Sequence, residues 1–348
     1  MTSARIVGHG SALPPAMDHS DLWDSFFAGH YDDNPVAAKV WASAGITTRH
    51  AVADPRQEDV SSWGTGARMK RFARDAPPLG HAAVTSALAD AGLEAREIGL
   101  FTVVSCTGYA TPGLDILLAR DLGMSADVQR LHIGPMGCYA AIPGLGAVSD
   151  YVAARGKPAV LLCVELASLH LQPATDSLEQ MVAHALFADA AAAIVLVPSS
   201  TGLPGLDVLD VSARTDVSAV DQMTWDVTDL GFRMGLSPRV PDVLARHARS
   251  VVTDLLDQHD LSIPDVVGWA VHPGGRRIVE VVAAELDLPE SAVAASYDVL
   301  RDVGNCSSAT VLLVLDRVRE GLTEGDPAVA MAFGPGLTLY NALLRASD

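Results

Sequence analysis

The stretch Val266-Val-Gly-Trp-Ala-Val-His-Pro-Gly-Gly275 places a short apolar run directly before a turn. The run is continuously apolar instead of alternating, which is typical of a strand covered on both faces of its sheet. Apolar residues at helical spacing follow the two glycines, at Ile278, Val281 and Val282. A buried strand, a turn and a helix in this order predict a layered α/β fold.

The same succession of apolar runs and helical patterns continues along the whole chain. One helix is expected to start after Pro77-Pro78, with Val84, Leu88 and Ala91 on one face. Buried strands are predicted at five further apolar runs, which begin at Leu100, Ala159, Ala191, Val208 and Ala328.

A turn-rich stretch, Pro198-Ser-Ser-Thr-Gly-Leu-Pro-Gly205, lies near the middle of the 348 residues. It predicts a division into residues 1–200 and residues 201–348, as two similar mixed α/β halves. No short repeat is visible, so this duplication is an interpretation of the element order. The active site is expected between the halves.

Composition and charge exclude several classes of function. The chain has 24 Lys and Arg against 42 Asp and Glu, a formal net charge of −18, which argues against binding to nucleic acid or to an anionic membrane. No apolar run approaches about 18 residues and no signal peptide is evident, so we expect no membrane span. The four cysteines have neither disulfide-motif nor metal-ligand spacing, and a free reactive thiol suits the reducing cytoplasm.

Three residues at junctions between elements form an ordered set with compatible chemistry. Cys138 precedes a helix-forming run, and a helix N-terminus favours a thiolate; Pro143-Gly144 predicts that this helix starts late or bends. His272 ends a strand, and Asn305 follows a glycine. An imidazole and an amide N–H can stabilise an enolate or an oxyanion, where losing one donor costs on the order of 10²–10³ in rate. Each residue alone is also typical of a structural role.

Several blocks around these residues together resemble the type III polyketide synthases, the chalcone-synthase-like branch of the thiolase superfamily. The resemblance spans about residues 5–345 and implies a thiolase-like α/β fold in αβαβα layers, and a homodimer. The blocks are Gly137-Cys138, Ala185-Leu-Phe-Ala-Asp-Ala-Ala-Ala192, Trp269-Ala-Val-His-Pro-Gly-Gly275, Gly304-Asn-Cys-Ser-Ser-Ala-Thr310 and Gly334-Pro-Gly-Leu-Thr338.

The resemblance also implies a reaction and the residues for it. Cys138 would hold the growing acyl chain as a thioester, and His272 would help to keep it a thiolate. His272 and Asn305 would stabilise the enolate that malonyl-CoA, or a substituted malonyl-CoA, forms on losing CO₂. An acyl-CoA would supply the starter, no metal or separate cofactor would be needed, and the product would be a pyrone, a resorcinol or a naphthalene-type ring.

Four further residues match positions that shape the family's cavity. Phe187 corresponds to a residue gating the passage between the CoA tunnel and the cavity. Met234 stands where the second gate residue is usually Phe, which would loosen the gate. Cys106 either shapes the cavity as a small residue or supplies a second thiol for one step. Ser307 corresponds to a cavity-facing serine, although an N-cap role competes equally.

The segment that is expected to form the mouth of the CoA tunnel has few basic residues in this chain. Only Lys39 and Arg49 remain in the segment where the family has several cations, and Arg276 with Arg277 can supply further charge if they are not simply solvated surface residues. Delivery of substrates by an acyl carrier protein therefore stays open. Two other functions also stay open: a ketoacyl synthase III-like enzyme that stops after one condensation, and a non-catalytic homologue that acts as a partner.

Overall fold

The structure is a computed structural model and describes residues 3–348. No helix within that range has both the length and the hydropathy of a membrane span. The strands are β1 Ala4–Ala12, β2 Ala16–Asp18, β3 Thr48–His50, β4 Leu100–Val104, β5 Gln129–Ile133, β6 Ala159–Leu166, β7 Asp189–Pro198, β8 Gly205–Thr215, β9 Met223–Thr228, β10 Gly231–Leu236, β11 Gly268–Val271, β12 Pro327–Gly334 and β13 Thr338–Ser347. The helices are α1 His19–Leu22, α2 Ala28–His30, α3 Pro35–Ala42, α4 Thr65–Ala91, α5 Leu114–Asp121, α6 Ala141–Arg155, α7 Leu178–Leu186, α8 Val240–Asp257, α9 Arg276–Glu285, α10 Ala294–Val303 and α11 Ser308–Arg319.

Nine of these strands form one mixed sheet in the order β11-β12-β13-β8-β1-β7-β6-β4-β5. β4 is parallel to β6, which is antiparallel to β7, which is antiparallel to β1. The same directions recur in the series β11, β12, β13 and β8. The two series join only where residues 4–6 of β1 pair with residues 206–208 of β8. The division of the chain at residue 200 stays a prediction.

Alternate side chains of the strands pack into different apolar clusters, because successive residues of a strand point to opposite faces. Phe101 of β4 belongs to the cluster that contains the buried face of α4, whereas its neighbour Leu100 belongs to a central cluster with α6 and α11. Likewise Ala330 of β12 lies in the central cluster, and Met331 lies in a third cluster with α8 and α9. These are the predicted αβαβα layers.

About half of the strand residues that line the central layer are alanines. β7 contributes Ala190 and Ala192 to it, and β12 and β13 contribute a further set of alanines. Small side chains let a helix and a sheet approach closely, and Leu145 of α6 and Leu312 of α11 fill the space between them. A close approach recurs in the outer layer, where a Cβ on Gly10 of β1 would lie 2.3 Å from the Ala87 nitrogen of α4.

The predicted start of α4 was wrong. The helix begins at Thr65 and runs through both Pro77 and Pro78. A proline inside a helix costs about 3 kcal/mol because it lacks the N–H and crowds the preceding turn. Here the helix is buried on both sides of the prolines, at Phe72 before them and Ala83 after them, so that packing on the sheet outweighs the local penalty.

The strand predictions were confirmed, with one shift of boundary. Five of the six apolar runs lie within β4, β6, β7, β8 and β12, and the run that begins at Val266 overlaps β11, which starts two residues later at Gly268. The helix after Cys138 starts late, at Ala141, which places Pro143 in the first turn, where the missing N–H has no helical partner in any case.

Candidate active site

Cys138 lies in the turn that leads into α6. Gly137 before it has a φ of 81°, and a Cβ there would lie 2.4 Å from Pro335 Cδ, so only glycine suits the position. The turn is closed by the Ala140 N–H, which donates to the Gly137 carbonyl at 3.1 Å. Cys138 therefore lies at the positive end of α6, and Gly137 before it packs against the loop between β12 and β13.

His272 follows the last residue of β11. Its N–H donates to the Met331 carbonyl of β12 at 2.8 Å, which adds one hydrogen bond to those between the two strands. The side chain is only 1% exposed. Neither ring nitrogen has a hydrogen-bond partner among the residues that the structure describes. An unpaired buried polar group is unfavourable by about 1–3 kcal/mol, so this imidazole is set up for a partner that the folded chain does not itself provide.

Asn305 lies just before α11 and is fixed by its main chain and its side chain. Its N–H donates to the Leu186 carbonyl at 3.0 Å, and its carbonyl accepts from the Ala188 N–H at 2.9 Å. The side-chain oxygen accepts from the Ser307 N–H at 2.9 Å, and the amide nitrogen donates to the Gly274 carbonyl at 3.2 Å. Because the amide has two N–H groups, one remains free to donate.

The three predicted residues line one cavity of about 920 Å³. They come from different elements, since Cys138 precedes α6, His272 follows β11 and Asn305 precedes α11. The structure thus brings the trio together, as expected for a site between the two series of strands.

The charge state expected from the sequence differs from the one that this arrangement favours. Burial raises the pKa of Cys138 to about 11 and lowers the pKa of His272 to about 3. Ser307 donates a hydrogen bond to the Cys138 sulfur at 3.6 Å, whereas His272 makes none. Burial thus favours a neutral thiol and a neutral imidazole, whereas a thiolate at Cys138, held with the help of His272, stays a prediction.

Ser307 connects two thiols. Its hydroxyl lies 3.3 Å from the Cys106 sulfur and 3.6 Å from the Cys138 sulfur. Ser307 occupies the N-cap position of α11 but makes no side-chain hydrogen bond to cap it, and the side chain instead lines a small space of about 10 Å³ together with both thiols. Burial, and secondly the charge of Glu165, raise the pKa of Cys106, which is therefore a neutral thiol.

Glu165 is a buried carboxyl group that the sequence prediction missed. It accepts hydrogen bonds from the Cys106 N–H at 3.0 Å and from the Thr107 hydroxyl at 2.7 Å, and it also accepts one from the Ser308 hydroxyl. Burial raises its pKa, partly offset by these donors. A single acidic residue at the end of the apolar run of β6 was the available signal, because charged residues are rarely buried without a specific set of partners.

The two predicted gate residues, Phe187 and Met234, each line more than one space. Both line the large cavity and also two smaller spaces behind it, of about 10 and 70 Å³. Trp225, which the sequence prediction missed, lines both smaller spaces and donates from its indole N–H to the Cys106 carbonyl at 2.7 Å. The signal for it was a bulky aromatic residue in a chain with only 5% aromatics.

The predicted CoA-binding residues are not brought together. Lys39 is exposed on α3 and does not line the cavity, whereas Arg276 lines it but is paired with Glu280 at 2.9 Å. Arg49 is buried and donates to main-chain carbonyls, so the prediction that it lies at the tunnel mouth was wrong. Arg277 lines the cavity, is exposed and has no ion pair among the described residues.

Comparison with known proteins matches both parts of the chain to one family. Residues 53–200 match the N-terminal domain of chalcone and stilbene synthases, and residues 212–347 match the C-terminal domain. The chain is 37% identical to a 1,3,6,8-tetrahydroxynaphthalene synthase of Streptomyces peucetius subsp. caesius, over 96% of this chain and 91% of that protein. It is 33% identical to an alpha-pyrone synthesis polyketide synthase-like protein of Mycobacterium tuberculosis, over 88% and 81% respectively.

The fold is similar to solved structures over almost its full length. The crystal structure of PKS-I from the brown alga Ectocarpus siliculosus superimposes with a TM-score of 0.92 at 30% identity, covering 99% of both chains.

The raised pKa of Cys138 predicts how its reactivity depends on pH. Because only the thiolate reacts, and its fraction below the pKa grows about tenfold per pH unit, labelling by iodoacetamide should rise steadily from pH 7 to about pH 10. Mass spectrometry of the labelled peptide measures this rate, and the Cys138→Ala variant shows what the other three cysteines contribute. A rate that levels off below pH 8 would contradict a neutral resting thiol.

Proposed function

The chain belongs to the chalcone and stilbene synthase family, whose members are type III polyketide synthases, and on this premise we propose that Cys138, His272 and Asn305 are its catalytic residues. The enzyme loads an acyl starter on Cys138 and extends it by decarboxylative condensation with malonyl-CoA or a substituted malonyl-CoA. The extended chain then closes to a pyrone, a resorcinol or a naphthalene-type ring.

The observation that carries this proposal is the unpaired imidazole of His272. It lines the same cavity as a cysteine and an asparagine amide, and the cavity is large enough for a thioester substrate. Two N–H donors beside one sulfur are what a developing oxyanion requires. No metal or redox cofactor is needed for these steps.

Each step balances with these three side chains. In loading, the Cys138 sulfur attacks the starter carbonyl, its proton passes to His272, and His272 returns that proton to the CoA sulfur, which leaves as a thiol. Malonyl-CoA then loses CO₂, and the electrons of the broken bond form an enolate whose oxygen accepts from His272 and Asn305. The enolate carbon attacks the thioester, which forms the C–C bond and releases Cys138. A reducing cytoplasm keeps this thiol available.

The space behind the gate supports a limited product size. Trp225 stands at the wall between the two smaller spaces, while Met234 offers a flexible gate. The named relatives make a tetrahydroxynaphthalene in one case and an alpha-pyrone in the other. For this chain the mass of the product distinguishes these ring types.

We assign the CoA phosphates to Arg277 in place of Arg49 and Arg276. Arg277 is the exposed cavity-lining arginine without an ion pair among the described residues. The first turns of α7, α8 and α9 line the same cavity, so that the positive ends of three helix dipoles add to its charge. A phosphopantetheine on an acyl carrier protein presents the same phosphate chemistry.

The free edge of β5 is the proposed dimer contact. β5 is the last strand of the nine-stranded sheet, and its residues are almost all exposed. An unpaired edge strand can form hydrogen bonds with a strand of another chain. Leu131 in β5 is 40% exposed, and Tyr109, five residues after the end of the neighbouring strand β4, is 64% exposed. A second copy of the chain would cover both.

The reaction itself is tested by incubating the protein with malonyl-CoA and a panel of short, long and aromatic acyl-CoAs. We expect products that contain two or more malonyl-derived units, and complete loss of product in Cys138→Ala. Products with a single unit would favour the ketoacyl synthase III-like alternative. A correctly folded protein that gives no product and does not label at Cys138 would favour a non-catalytic partner.

Replacement of Arg277 tests the phosphate contact. Arg277→Ala should raise the KM for malonyl-CoA about fivefold, because a partly exposed charge contact is weak, and the effect should shrink at high salt. Arg276→Ala is the matched control and should change KM less, since Glu280 already pairs with Arg276. Malonyl-N-acetylcysteamine has no phosphate, so an equal loss with that substrate would contradict the assignment.

Sedimentation equilibrium tests the dimer. The parent chain should have the mass of two copies, and Leu131→Asp should shift it towards one copy by placing a charge at the buried edge. Leu203→Asp changes a comparably exposed leucine far from β5 and should leave the dimer intact. A monomeric parent would overturn the proposed contact.

A further inference from the structure

Arg49 is a buried cation whose position no catalytic step explains. It lies in β3, is 5% exposed and stacks on the Trp41 ring with its guanidinium carbon 5.2 Å from the ring centroid. Burial lowers its pKa to about 10, so it is still protonated at neutral pH. A buried charge is unfavourable unless its partners compensate for lost hydration, so the partners of Arg49 define its role.

Those partners are carbonyl groups at the end of α7. The guanidinium donates from Nη1 to the His184 carbonyl at 2.8 Å and from Nη2 to the Phe187 carbonyl at 2.5 Å. The last carbonyls of a helix have no helical partner, and the helix dipole makes this end negative. Arg49 therefore fixes the end of α7 with both hydrogen bonds and charge.

The segment fixed in this way is bonded directly to Asn305. Leu186 and Ala188 form the two main-chain hydrogen bonds that hold Asn305, at 3.0 and 2.9 Å. Gly304 permits this contact, since its φ is 89° and a Cβ there would lie 2.8 Å from the Ala188 Cβ. Phe187 lies between the two bonds, so the gate side chain and the Asn305 amide share one support.

We propose that Arg49 is a positioning residue that sets both the Phe187 gate and the Asn305 amide through the end of α7. The proposal rests on the proposed function, because it assumes that Asn305 donates to the enolate. Cys138 is connected to this support only through Ser307, whose N–H donates to the Asn305 side-chain oxygen and whose hydroxyl donates to the Cys138 sulfur. Because this link is indirect, loss of Arg49 should impair enolate formation and leave the reactivity of the thiol almost unchanged.

The test compares Arg49→Lys with Arg68→Lys. Arg68 is the matched control because it is also buried and donates to main-chain carbonyls, among them those of Leu169 and Leu171, but makes no hydrogen bond to α7 or Asn305 among the described residues. Two quantities are measured on each folded variant: the release of CO₂ from malonyl-CoA, and the rate of Cys138 alkylation by iodoacetamide. Alkylation requires no oxyanion donor, so it reports on the thiol alone.

Arg49→Lys should lower decarboxylation about 10²-fold, the size expected for a displaced oxyanion donor, and leave alkylation within about twofold of the parent. Arg68→Lys should lower thermal stability but keep the parental ratio of the two rates. Gly304→Ala displaces the same contact from the other side and should reproduce the Arg49→Lys pattern, which keeps the test decisive if Arg49→Lys does not fold.

An equal fall in both rates, or the same ratio in Arg49→Lys and Arg68→Lys, would overturn the positioning role. A parent protein that alkylates at Cys138 but releases no CO₂ from malonyl-CoA would instead overturn the proposed function, so the two failures are distinguishable.

Discussion

The close packing of α6 and α11 between two sheet faces is the constraint on which the rest of the structure depends. The helices share one central apolar cluster, and the strands that face them there carry alanines. Because both helices start at the same side of this layer, their first turns meet, and Ser307 at the start of α11 donates to the sulfur of Cys138 before α6. A wider central layer would separate these two residues.

The electrostatic character of the cavity follows from the placement of helix ends around it and not from the overall composition of the chain. A chain with a net charge of −18 nevertheless surrounds its cavity with the first turns of several helices and one unpaired arginine, Arg277. Inside, burial raises the pKa of Cys138 and lowers the pKa of His272, which favours the neutral form of both side chains. In the proposed reaction, charge would develop on the substrate beside the His272 and Asn305 donors.

The sequence was sufficient for the trio and for most central strands, because both depend on local patterns: continuous apolar runs for β4, β6 and β12, and glycine-flanked motifs around Cys138, His272 and Asn305. It was insufficient where contacts between distant residues decide the outcome. α4 continues through its two prolines because the helix packs on the sheet. Arg49 is buried because its guanidinium donates hydrogen bonds to carbonyls at the end of α7. The surroundings of Trp225 and Glu165 are formed by residues that are distant in the sequence.

Ser307 has a consequence for how such a protein changes over time. Its φ of 50° is disfavoured for a residue with a side chain, by about 1–3 kcal/mol, whereas glycine adopts it freely. A Ser-to-Gly change would relax the backbone while removing the hydroxyl between the two thiols. At this position, the residue that gives the more stable backbone also removes a hydroxyl from the site. A descendant under selection for stability alone would reach a well-folded chain with an altered site by this single substitution.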